Sequence, residues 1–145
     1  MSKTGNKHNR FFGTSAPLHE ELVKEIEKGE INMKVDQKAR NRRLVEEFEW
    51  DKNDTVKIWS FGPEEVGANI LVDTTKGIQG MHEISDSMIT AFQEATRNGV
   101  LADEPMRGGR FNITEAVIHV DPAHRKQNQV IPAGKRMYYG LELLS

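Results

Sequence analysis

GRFNITEAVIHV, residues 109–120, is the stretch whose pattern decides the fold. Its β-branched and aromatic residues alternate with polar ones, as in a strand that buries one face. The inward set begins as Phe111 and Ile113 and resumes as Ala116, Ile118 and Val120, so the parity changes once. An extra residue near Glu115, a β-bulge, would restore the alternation. A strand of this length needs partners, and the sequence upstream supplies them.

TVKIWSFG and ANILVD, residues 55–62 and 68–73, share the same residue preferences and flank PEEVG. They predict two antiparallel strands joined by a loop. The unbroken apolar run Ile70, Leu71, Val72 marks an interior strand. Between this pair and residue 109, Met81, Ile84, Met88, Phe92 and Ala95 fall on one helical stripe, and Asn98-Gly99 ends it as a left-handed stop.

Nearer the amino terminus, a polar turn leads into a short strand around residues 10–14. Pro17 suits a first helical turn, Leu18, Leu22 and Ile26 recur every four residues, and Gly29 supplies the stop. A second helix is expected from Asp36, an N-cap, to Phe48, with Ala39, Leu44, Val45 and Phe48 inward. A last helix is expected from near Ile131, with Pro132 in its first turn and Met137, Leu141 and Leu144 on its apolar side.

The order β-α-α-β-β-α-β-α predicts an α+β fold, a two-layer sandwich. Its sheet would be four-stranded and mostly antiparallel, with helices on one face. At 145 residues, with 37% hydrophobic and 29% charged residues, one domain over residues 1–145 is expected. No run approaches the ~18 apolar residues of a membrane span. The start lacks a secretory-signal pattern, and zero cysteines exclude disulfides and thiolate metal sites. A cytoplasmic location fits these features.

The net charge of −2 conceals an asymmetry. Residues 1–19 carry Lys3, Lys7 and Arg10 and no acid, and residues 122–141 carry Arg125, Lys126, Lys135 and Arg136 and no acid. Removing those seven from 20 bases leaves 13 against all 22 acids, so these segments sum to +7 and the remainder to −9. Brought together, they would put a basic end on an acidic body, the footprint of a protein that meets phosphate at one end.

The second basic segment lies within HVDPAHRKQNQVIPAGKR, residues 119–136. His119, Asp121 and His124 have metal-compatible donor chemistry, with His82 a conceivable fourth ligand, which leaves a small metal-dependent hydrolase as one alternative. A nucleophilic site has less support, because no serine lies in a G-x-S-x-G elbow. GPEEVG lacks the lysine of a phosphate-binding loop, so it is better taken as a hairpin connection. The third possibility is contact with RNA. Arg125, Lys126, Gln127, Asn128 and Gln129 offer cations and amides to phosphates, 2′-hydroxyls and base edges, with His124 at the tip. Lys135 and Arg136, early in the last helix, oppose its dipole and hint at an anionic partner.

Taken together, NKHNR, IWSFGPEEVGANILVD, KGIQGMHEISDSMITAFQEAT and HVDPAHR followed by QVIPAGKRMYYG resemble, in order, the fourth domain of the elongation factor 2 family. These are the eukaryotic and archaeal translational translocases. The resemblance implies a sheet-and-helix fold related to a domain of a small-subunit ribosomal protein. It also implies a ribosome-binding role in GTP-dependent movement of tRNA and mRNA, with tip loops inserted into the decoding site of the small subunit. The loops would be Asn6, Lys7, His8, Asn9 and Arg10, and Asp121 with His124 to Gln129. No catalysis and no cofactor are implied for the domain itself; GTP and Mg²⁺ would belong to the GTPase domain of a longer parent, although a standalone RNA-binding module is an alternative.

In that family the histidine matching His124 is converted to diphthamide, so diphthamide-synthesis enzymes and ADP-ribosylating toxins are implied as further partners. This chain departs from the family there. Arg125-Lys126-Gln127-Asn128-Gln129 stands where eukaryotic members usually read Arg-Gly-Gly-Gly-Gln, which narrows the backbone conformations open to the loop.

Overall fold

A computed structural model describes residues 2–3, 10–75, 81–99, 106–117 and 134–141. Its strands are β1 (Ser2–Lys3), β2 (Arg10–Pro17), β3 (Ile58–Gly62), β4 (Asn69–Asp73) and β5 (Gly109–Val117). Its helices are α1 (Glu20–Glu27), α2 (Gln37–Phe48), α3 (Lys52–Thr55), α4 (Met81–Asn98) and α5, residues 134–141. The strands form one mixed sheet in the order β1-β2-β5-β4-β3. Every neighbouring pair is antiparallel except β4 and β5, which run parallel with α4 as the crossover. The α+β class and the mostly antiparallel sheet therefore stand, and the two-residue β1 adds a fifth strand too short to carry a periodic signal.

Helices cover both faces of the sheet, which corrects the one-faced arrangement. Leu71, Phe111 and Ile113 pack with Ile84, Met88, Phe92, Ala95, Met137 and Tyr138. Ile70 and Val72, on the alternate face of β4, pack with Leu22, Val23, Ile26, Leu44 and Phe61. Three consecutive strand residues buried at 0% exposure require cover on each side. Phe92, Phe111 and Tyr138 meet edge to face with centroids 5.5–6.1 Å apart, each pair contributing roughly 0.5–1.5 kcal/mol beyond its buried area.

The local signals have identifiable outcomes. Asp36 caps α2 by accepting the Ala39 N–H at 3.0 Å, and Gly29 and Gly99 take the expected positive φ after α1 and α4. PEEVG is the β3–β4 connection. Its Glu64 and Glu65 both have positive φ, and the turn is held by Gln93, which accepts the Glu64 N–H and donates to the Phe61 carbonyl at 2.8 Å.

Pro17 ends β2 opposite Gly109 rather than opening α1. The next amide, Leu18 N–H, donates to the Gly108 carbonyl at 2.8 Å, so the chain is still paired to its neighbour and the helix waits until Glu20. On α2, Ala39 faces solvent while Arg40 is buried, its guanidinium over the Phe61 ring and donating to the Asn32 carbonyl. The start of the expected 55–62 strand is corrected as well: Thr55 closes α3, which Asp51 caps through the Asn53 N–H, and β3 begins at Ile58. The expected start of the last helix near Ile131 lies outside the described residues. No helix among the described residues is long and apolar enough to cross a membrane.

Candidate nucleic-acid interface

The β2–β5 ladder sets where the two acid-poor segments leave the body. Arg10, the first residue of β2, pairs with Val117, the last of β5, and Lys3 of β1 pairs with Arg10 from the other side. Three strand ends thus share one end of the sheet. Residues 4–9 join Lys3 to Arg10, and residues 118–133 join Val117 to α5. Both connections are covalently rooted in adjacent strands.

Local geometry sets how the two strands approach each other. Phe12 pairs with Glu115 and Gly13 with Ile113, which leaves Thr114 as the extra residue. This is the bulge expected near Glu115, one position away. At Gly13 a Cβ atom would lie 2.7 Å from the Asn112 carbonyl oxygen, so only glycine permits the strands to approach this closely. A glycine inside a strand pattern is a signal for such an approach, and it was open to notice in FFGTSA.

The return path is anchored on the same body. Tyr138 of α5 is fully buried and its hydroxyl donates to the Met88 carbonyl of α4 at 3.1 Å. Burial pushes its phenol well above the ordinary tyrosine range. Ser15 of β2 donates to the Leu141 carbonyl at 3.2 Å.

Lys135 changes meaning in three dimensions. Its ammonium lies 3.1 Å from the Glu94 carboxylate of α4, which supplies the anion that the sequence suggested a partner would bring. Other cations of the body are paired too. Arg107 donates to Glu27 and Glu20, hydrogen bonds that raise its pKa, and in return hold the Glu27 carboxyl below the usual carboxylate range. Arg110 binds Asp54 at 2.8 Å and stacks on Trp50.

Of the expected RNA-contacting residues, Arg10 is described, as the residue that opens β2. Asn6, Lys7, His8, Asn9, Asp121, His124, Arg125, Lys126, Gln127, Asn128 and Gln129 lie outside the described residues. So do His119 and the rest of the alternative metal triad. Among the described residues no three His, Asp or Glu side chains group as metal ligands.

Residues 29–143, which span α2 to α5 and include the histidine segment, match the family model for elongation factor G, domain IV.

Proposed function

We propose, because the chain belongs to the elongation factor G domain IV family, that it is the translocation domain of a translation elongation factor and engages the ribosome and tRNA. The pairing of Arg10 with Val117 carries this proposal further, to the way contact is made. Segments 4–10 and 121–129, seated on adjacent strand ends, act as one cationic prow that enters the decoding site beside tRNA and mRNA. Lys7, Arg10, Arg125 and Lys126 neutralise phosphates, while Asn6, Asn9, Gln127, Asn128 and Gln129 supply hydrogen bonds that fix orientation. Asp121 and the histidines His8 and His124 complete the contact surface.

The order of matching segments favours the elongation factor 2 branch, with His124 at the position that receives diphthamide. His124 is in that case a modified residue and not a catalyst. Modifying enzymes and ADP-ribosylating toxins would act on it, and Lys126 supplies local positive charge where the family usually has glycine. Hydrolysis of GTP, with its Mg²⁺, takes place in another domain of a cytoplasmic parent.

Binding to an RNA hairpin with the decoding-site sequence tests the proposal. Affinity is expected to fall by about 0.7–0.9 log units per log unit of salt for each phosphate neutralised. Arg125→Ala with Lys126→Ala should lower both the affinity and the salt slope. Binding indifferent to salt, or a double variant that binds like the parent, would refute the contact surface.

A further inference from the structure

An open groove of about 610 Å³ runs between α2 and α3, lined in part by the half-buried Val45 and the buried Thr55. Lys38, Arg42 and Val45 form one stripe along α2, spaced i, i+4 and i+7, about 10 Å in length. Lys52 and Val56 form the opposite wall. Val56 is 62% exposed, well above the 36% of Val66, the other exposed large hydrophobic among the described residues. Beside the half-buried Val45 it gives the groove a small apolar patch between its cations.

The charges around it are distinctive. Lys38, Arg42 and Lys52 are exposed, and none lies within 4.0 Å of a carboxylate among the described residues. The adjacent Arg43, on the same helix, is paired with both Glu47 and Glu25. Among the described residues Glu46 is the one acid lining the groove, so the side chains they supply sum to +2, on a chain whose net charge is −2. Val45 and Val56 supply its aliphatic surface, and among the described residues its lining includes no aromatic ring on which a base could stack.

From this we infer that the α2–α3 groove docks an acidic amphipathic segment of a protein partner, one that presents an aliphatic side chain to Val45 and Val56 between carboxylates that meet Lys38, Arg42 and Lys52. Such a segment satisfies the two valines and the cations beside them together, in the manner of a helix laid in a groove. A nucleic acid would satisfy the cations alone.

The test uses the full chain, labelled with ¹⁵N, and a helical probe peptide of glutamate, alanine and leucine about 12 residues long, enough for three turns. Amide shifts should change at Lys38, Arg42, Val45, Lys52 and Val56, and the effect should weaken as salt rises. Val56→Ser should weaken peptide binding by about fivefold or more. Reversal of these charges through Lys38→Glu, Arg42→Glu and Lys52→Glu should abolish it, and unperturbed amides elsewhere in both variants verify the fold. Shifts centred on another surface would overturn the inference, as would peptide binding unaffected by Val56→Ser. A single-stranded oligouridylate that moves the same amides more strongly than the peptide, with no dependence on Val56, would assign the groove to nucleic acid instead.

Discussion

Replacing Asn69 with leucine should destabilise the protein far more than its small change in size suggests. Asn69 is fully buried at the start of β4. Its amide nitrogen donates to the Gly62 carbonyl at 3.0 Å and to the Met106 carbonyl at 2.8 Å, while its amide oxygen accepts the Gly109 N–H at 3.0 Å. One side chain therefore ties the end of β3, the segment leaving α4 and the start of β5. Leucine fills similar space but strands one N–H and deprives two carbonyls of a donor, at about 1–3 kcal/mol for each unsatisfied group. Allowing for the second lone pair of each carbonyl and some relaxation, the expected loss is about 3–5 kcal/mol, a large share of the ~5–15 kcal/mol typical of a domain. Urea unfolding followed by circular dichroism reads this directly as a shift in midpoint at constant slope. Asn69→Asp sharpens the test. Its carboxylate keeps an acceptor for Gly109 but turns negative oxygen toward two carbonyls, so it should cost at least as much at neutral pH. Protonation restores a donor, so that variant alone should gain stability as pH falls. A leucine variant within ~1 kcal/mol of the parent would refute the role assigned to this side chain.

Gly13→Val should cost roughly 1–3 kcal/mol, because the new side chain meets the backbone oxygen of Asn112, which cannot rotate aside; an unchanged thermal midpoint would show that the bulge has slack. Tyr138 keeps its proton in the folded protein to higher pH than in the unfolded chain. Its contribution is therefore complete below the unfolded value near 10 and is lost as pH rises beyond it, at about 1.4 kcal/mol per pH unit. Tyr138→Phe should remove that alkaline slope and lower neutral stability by about 1 kcal/mol, as measured by urea unfolding across pH. An alkaline slope that persists unchanged in the variant would assign it to another group.

Elements whose signals are local were legible in the sequence. The stripe Ile84, Met88, Phe92, Ala95 is buried as its spacing requires, Asp36 caps the helix it precedes, and the parity change in β5 falls at Thr114, beside the expected residue. What escaped depends on partners distant in sequence. Nothing near Pro17 announces that Leu18 will bond Gly108, and nothing near Lys135 announces Glu94. Arg40 outranks Ala39 for the inner position of α2 because the Phe61 ring and the Asn32 carbonyl wait there. The run Ile70–Val72 carried the information that both sheet faces are covered, although a two-layer expectation left it unused. For the interface, composition identified two basic segments, but only the register of β2 against β5 brings their roots together.

That juxtaposition is the central claim, and a distance measures it. The chain has no cysteine, so Lys7→Cys with Arg125→Cys gives a uniquely spin-labelled pair. A compact chain of this length is about 35–40 Å across. If the two segments form one prow, pulsed dipolar spectroscopy should report a distribution centred below about 25 Å, narrowing when decoding-site RNA is added. A distribution centred near the full width of the molecule, with or without RNA, would contradict the account.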